Sequence, residues 1–408
     1  DGPCRVLLST SGRIARTADA SALQRIGKRS SHDALRSEVV STTQGKVGAV
    51  TSTGRLHMVD VVDLPALPPA ATRPNVAGGV KIADYVTLEK NESVLGLIDL
   101  DREFVVGTAA GVAKRVSVTG RPNKSEWEAI TLKGKDSVIG VAQPKDIDES
   151  LAVFVTSSSQ LLAFDASGLR AQGWNASGVA GMKVAADARA IFFGMTPKAA
   201  KTDEDGDADT SIGTFAVVTV ASGENFYGAP SSSIKVSDFS EFPTKGRATS
   251  GVRAHKFLKG ETALSLAWVG DTPQAAAQAG GARTLPAEMS KRDASGSPLE
   301  SKIDIIGTVP RLGDAEDAVD DSGSGGDTAA SGGAGTVDDT RVSGGGASSS
   351  ATSRTQGLAT SFDELDLERV DGGDLNEAKE EIARSKMDSD DAVIVSHDDD
   401  DDDDSALF

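Results

Sequence analysis

Cysteine occurs once in 408 residues, at position 4. A lone thiol forms no internal disulfide framework and no thiolate metal cluster, which fits a reducing cytoplasm. The four histidines, His32, His57, His255 and His397, stand far apart without cysteine or carboxylate partners at ligand spacing, so no metal site is expected. No run of about 18 apolar residues exists, so no helix is expected to span a membrane. The phosphate-cradling pattern G-x-x-x-x-G-K-[ST] is absent. Tyrosine occurs twice, at positions 85 and 227, each within a repeated strand segment and each expected to pack there. Helical periodicity is scarce before position 311. The first residue is Asp, with no basic-then-apolar leader, and the chain is expected to begin inside a longer protein.

Charge is abundant but unevenly placed. The net charge of −19 conceals a division: residues 311–408 hold 7 basic and 27 acidic side chains, leaving 35 and 34 in residues 1–310. Arguments about partners therefore differ for the two halves.

The first 310 residues repeat. Apolar runs with a small-residue turn begin at 5 ("RVLLSTSGRIART"), 47 ("VGAVTSTGRLHMVDVVDL"), 102 ("REFVVGTAAGVAKRVSV"), 152 ("AVFVTSSSQLLAFDASGL") and 214 ("TFAVVTVASGENFYGAP"), with a sixth copy expected at 263 ("ALSLAWVGDT"). Each reads as strand, turn, strand. A second element follows 25 to 40 residues after a start, as "GGVKIADY" (78–85), "GVAGMKVA" (178–185) and "SGVRAHKF" (250–257); "KDSVIGVA" (135–142) is assigned to the same slot. About four strands per repeat cannot bury a core alone but suffice for one blade of a radial array. The expected fold is all-β, a six-bladed propeller-like pinwheel over residues 1–310.

Residues 311–408 are expected to be a disordered Gly/Ser-rich and acidic tail, with one short helix over 374–386. Its seven consecutive Asp residues repel one another. Beyond solubilising the chain, such a tail is read as a tethered mimic of a polyanion. The acidic stretch "DEDGDAD" (203–209) has its glycine at the wrong offset for a calcium loop and is expected to be a hairpin tip.

The runs "VLLSTSGRIART", "GVAKRVSV" and "LLAFDASGLRAQGWNASGVAGMKV" resemble the C-terminal domain of the A subunit of bacterial type IIA DNA topoisomerases, the family of DNA gyrase and topoisomerase IV. The likeness covers roughly residues 3–310. It implies a β-pinwheel that binds and bends duplex DNA around a basic rim. In the gyrase branch the first blade carries a box of the form Q-R-R-G-G-K-G. Here the matching segment reads Gln24-Arg25-Ile26-Gly27-Lys28-Arg29-Ser30. Gln24, Arg25 and Gly27 fit, whereas Lys28, Arg29 and Ser30 depart from the glycine, lysine and glycine of the box. That departure favours a topoisomerase IV-like module, supporting relaxation and decatenation, over a gyrase-like one that wraps DNA for negative supercoiling.

The resemblance also implies an intact enzyme that uses ATP and Mg2+ through other domains or other chains, in an A2B2 assembly built from two A subunits and two ATPase B subunits. This stretch is expected to bind double-stranded DNA, to hold no cofactor or metal and to carry no catalytic residue. The expected DNA-binding residues are Gln24, Arg25, Gly27, Lys28 and Arg29, which the resemblance to the box implies, and Arg13, Arg16, Lys81, Lys114, Arg115, Lys183 and Arg253, chosen because cations recur at equivalent places in the repeats. The competing reading is a propeller-type protein-interaction scaffold whose cations only solubilise it.

Overall fold

A computed structural model describes residues 1–198, 215–224, 228 and 230–311. Its strands all fall within the first of two units, residues 1–328. The second unit, with the expected helix at 374–386 and the Asp run, lies outside the described residues, as do Tyr227 and "DEDGDAD".

The chain opens with a hairpin, Pro3–Ser9 (β1) and Arg13–Arg16 (β2), then Leu35–Thr42 (β3). A second hairpin, Lys46–Thr51 (β4) and Arg55–Asp60 (β5), precedes the two-residue strand Val80–Lys81 (β6) and then Val94–Asp99 (β7). Sheet 1 has the order β3-β1-β2-β6. Its last strand thus comes from chain lying beyond the second hairpin. The exchange recurs. Phe104–Thr108 (β8), Val112–Val116 (β9), Glu126–Glu128 (β10) and Val138–Ala142 (β11) follow, and sheet 2 is β10-β5-β4-β7. After Ser150–Thr156 (β12) and Gln160–Asp165 (β13), Ala171–Gln172 (β14) and Val179–Ala180 (β15) both return to β9, completing sheet 3 with β11 and β8.

Ala190–Pro197 (β16), Phe215–Glu224 (β17), Pro230–Asp238 (β18) and Val252–Arg253 (β19) give sheet 4, β16-β12-β13-β19. Glu261–Asp271 (β20), Gln274–Ala276 (β21), Ser297–Pro298 (β22) and Ile305–Gly307 (β23) give sheet 5, β20-β17-β18-β22, and a sixth sheet of β21 and β23. The all-β class is as expected. Each four-stranded sheet is woven from two repeats, which the sequence did not reveal.

Two segments change place. "KDSVIGVA" becomes β11, which lies against β7 and β16 of the neighbouring sheets rather than at an outer edge. The outer edge of sheet 2 is Glu126–Glu128 instead. "ALSLAWVGDT" is the core of β20, the third strand of sheet 5, and opens no sixth hairpin. Both are apolar runs between turns, and length and composition alone do not distinguish a hairpin strand from the strand that follows it.

The strands are apolar along their length because most sheets are covered on both faces. All seven residues of β12 are buried. Side-chain clusters fill the gaps between successive sheets: Val6, Val47 and Leu97 between sheets 1 and 2, Phe104, Trp127 and Trp174 between 2 and 3, and Phe154, Phe164 and Phe193 between 3 and 4. Trp127 meets Trp174 edge-on at 5.5 Å, a favoured aromatic geometry, so these indoles pack rather than face solvent. A β-carbon at Gly107 of sheet 3 would lie 2.1 Å from the Phe193 ring of sheet 4, so the glycine is what admits that ring.

β3, β7, β11, β16 and β20 touch from one sheet to the next. The opposite edges, β6, β10, β14 with β15, β19 and β22, face outward. The recurring glycine turn feeds these outer strands. Gly251, at φ +82°, passes so close to β13 that a β-carbon would lie 2.2 Å from the Leu161 carbonyl oxygen. Any side chain there would push β19 off its sheet.

Candidate nucleic-acid interface

The expected cations divide into three kinds once their partners are known. Lys114 is buried, 1% exposed, and its ammonium donates to the Ala129 and Trp174 carbonyls at 2.8 Å each. Burial pulls its pKa down to about 8. Lys114 therefore leaves the interface, because a neighbour of β10 and a neighbour of β14 close over it. Lys235 on β18 has the same fate, donating to the Lys291 and Ala294 carbonyls. The sequence reading took a strand cation for a rim cation.

Arg115, Arg25 and Arg29 are committed to partners within the protein. Arg115 pairs with Glu103 at 2.6 Å and Asp148 at 2.7 Å. Arg25 pairs with Asp271 at 2.6 Å and donates to Thr272 at 2.8 Å. Arg29 grips the buried carboxylate of Asp33 through two nitrogens and also donates to the Ala275 carbonyl of β21 at 2.9 Å. Arg73 supports the same loop, donating to the Arg25 carbonyl. The Leu35–Thr308 bridge lies at the same junction. The box segment thus fastens sheet 1 to sheet 6. What it leaves outward is Gln24, Ile26, Gly27 (φ +126°) and Lys28, with Ile26 75% exposed.

The two-nitrogen grip on Asp33 yields a prediction. Arg29→Ala removes two charge-assisted hydrogen bonds from a buried carboxylate, leaving it the Ser30 amide at 2.9 Å and the Arg73 guanidinium at 3.6 Å, and frees a carbonyl. It should cost about 2–4 kcal/mol in urea unfolding. Arg29→Lys should recover little of it, since an ammonium lacks the planar fork. A loss under about 0.5 kcal/mol would show that the seam does not depend on this contact.

Arg13 and Arg16 are half-buried on β2; Arg13 donates to the Gly79 carbonyl at 2.7 Å, beside the exposed Lys81 that faces it in register. Lys183 and Arg253 are exposed, with no ion pair or side-chain hydrogen bond among the described residues. Around them lie cations that the sequence reading overlooked. Residues 242–260 contain five Lys or Arg and no Asp or Glu, and residues 166–186 contain Arg170 and Lys183 and no acid. The two stretches are stitched together at the outer edges of sheets 3 and 4. The Lys183 amide donates to Thr249, the Ala248 amide to Gly181, and the Arg247 guanidinium to the Ala180 carbonyl. Lys183, Lys245, Arg247, Arg253 and Lys256 are all exposed there. The signal that would have found this patch is the 19-residue absence of acid, which a search for recurring cations passes over.

A phosphate backbone is recognised by such an arrangement, exposed cations along a sheet edge unpaired by carboxylates. No group of His, Cys, Asp and Glu suited to a metal ion occurs among the described residues, and none of their helices is long and apolar enough to cross a membrane.

Residues 152–194 and 233–267, which include β13 and β19 and most of β12 and β18, match the family described as the DNA gyrase C-terminal domain, beta-propeller. Over 248 residues the chain is 29% identical to the DNA gyrase A subunit of Salmonella typhimurium, covering 57% of this chain and 25% of that protein. Over 118 residues it is 30% identical to the topoisomerase component TopoM of Mycolicibacterium smegmatis, covering 29% and 14%. The match thus spans about a quarter of the gyrase protein's length. The crystal structure of the C-terminal domain of DNA topoisomerase IV superposes with a TM-score of 0.52 at 19% identity, over 77% of this chain and 90% of that one, and shares its fold. The chain is thus similar, over part of its length, to the C-terminal region of DNA gyrase A subunits, and it shares the fold of the topoisomerase IV C-terminal domain.

Proposed function

We propose that this chain binds and bends duplex DNA, without sequence preference, for a type IIA topoisomerase that passes one double strand through another. The observation that carries the reading is the patch of Lys183, Lys245, Arg247, Arg253 and Lys256 on the joined edges of sheets 3 and 4, with no carboxylate in the 242–260 segment to oppose it. Cations on such an edge displace condensed counterions from the backbone, and the release drives association. The five cations of the patch neutralise about five phosphates, giving a slope of log affinity against log salt near −4.5. Bending a site of 20–30 base pairs costs about 1–6 kcal/mol, and the edge contacts offset it.

The intact enzyme in this reading is a cytoplasmic A2B2 assembly, with ATP and Mg2+ handled by its other parts. A topoisomerase IV-like role is favoured over gyrase-like wrapping. Arg25 and Arg29 of the degenerate box are held by Asp271 and Asp33 and do not reach outward.

The test is direct binding of the 408-residue chain to random-sequence duplex at 50 and 200 mM salt. Affinity should fall about 500-fold between them. Absence of binding at 50 mM would sink the proposal and leave the protein-scaffold reading standing.

A further inference from the structure

The first residue of the second hairpin strand pairs with the outer strand in four sheets, so one register position can be compared around the array. Opposite Arg13 in sheet 1 stands Lys81, and opposite Gln160 in sheet 4 stands Arg253. Opposite Val112 in sheet 3 stands Ala180, beside which the Arg247 guanidinium is docked. Opposite Arg55 in sheet 2 stands Glu128. The cation of sheets 1 and 4 is thus an exposed carboxylate in sheet 2.

No cation of sheet 2 cancels that charge at the edge, and the one that feels it from sheet 3, the Lys114 ammonium, is buried and bonded to carbonyls. Arg55 is consumed by Glu92 and Glu126, with Glu89 at 3.9 Å. His57, beside Glu126 at 3.5 Å, is buried, and its burial disfavours the imidazolium. Trp127 between the two glutamates is in the core, and strand alternation puts Glu126 and Glu128 together on the other face. The next exposed cations, Lys124 and Lys133, lie beyond the strand ends.

We infer that the outer edge of sheet 2 is an electrostatic stop, which ends the DNA track and confines the bound arc to sheets 3 and 4. This rests on the DNA-binding reading above and deepens it. A duplex following the edge from sheet 4 through sheet 3 meets repulsion at Glu128 and leaves the surface there. Bend angle and footprint are then set by that residue as well as by the cations.

The test uses the full chain with duplexes of about 15 and 60 base pairs at 100 mM salt. Glu128→Lys should tighten binding to the long duplex about tenfold and steepen its salt slope by about 1, the value of one added phosphate contact. It should leave the short duplex, which sheets 3 and 4 already span, within twofold. Glu128→Gln keeps a group able to accept the Thr131 hydroxyl's hydrogen bond and should give a gain of about threefold on the long duplex alone. Lys183→Glu must weaken both lengths. If it does, and the Glu128 variants match the parent or improve both lengths equally, there is no stop. If the parent binds neither duplex, the underlying DNA reading has failed instead.

Discussion

Replacing Lys183, Arg247, Arg253 and Lys256 together by glutamine is expected to lower duplex affinity about a thousandfold at 100 mM salt and to flatten the salt slope by about 3.6. Each phosphate contact contributes about 0.9 to that slope, so four fewer contacts remove that much from it. The four side chains are exposed and none is paired with a carboxylate, so folding should change little beyond the roughly 1 kcal/mol of the lost Arg247–Ala180 hydrogen bond. Surface substitutions of this kind usually change stability within about 0.5 kcal/mol. The change should be the same for unrelated duplex sequences, because backbone contacts carry no base information. Fluorescence anisotropy across a salt series reads both quantities. A quadruple variant that keeps its affinity within fivefold would remove sheets 3 and 4 from the interface and return attention to the box.

The contrast with the box shows what a sequence can and cannot disclose. Strand, small turn and strand were legible because both faces of most sheets are buried, leaving unbroken runs such as "AVFVT" at 152–156. The glycine turns before β6, β15 and β19 were legible for a steric reason, the near contact with the hairpin carbonyls. The exchange of outer strands was hidden. Pairing Arg13 with Lys81 leaves no local trace, since each strand's pattern is satisfied whichever hairpin it joins. The fate of the cations was hidden for a related reason. Lys114 and Lys81 both follow an apolar turn, and only the crossing chain at Ala129 and Trp174 makes one buried and leaves the other in water. Charge pairing across long separations, such as Arg25 with Asp271, is likewise a property of the closed array and not of either segment.

Lys114 carries the largest expected effect on folding. Its ammonium is the donor shared by carbonyls of two segments, one arriving from the outer strand of sheet 2 and one from that of sheet 3. Lys114→Ala removes both hydrogen bonds and leaves a void where the stem packed, which should cost about 3–5 kcal/mol. Lys114→Met fills the void but leaves the carbonyls unpaired, and should cost about 2 kcal/mol. Titration separates the ammonium's role from the stem's. With its pKa near 8 in the folded chain against an ordinary 10.5, the folded state binds fewer protons than the unfolded state between those values. Stability therefore rises with pH across that window, by at most about 3 kcal/mol from this group, and the full burial penalty applies below pH 8. In Lys114→Met that part of the rise should vanish. Urea midpoints at pH 7, 9 and 10 decide it: parallel curves for parent and variant would mean that the lysine is not held charged against its burial. Duplex affinity per folded molecule should be unchanged in both variants. A specific loss of binding by Lys114→Met would return the residue to the interface.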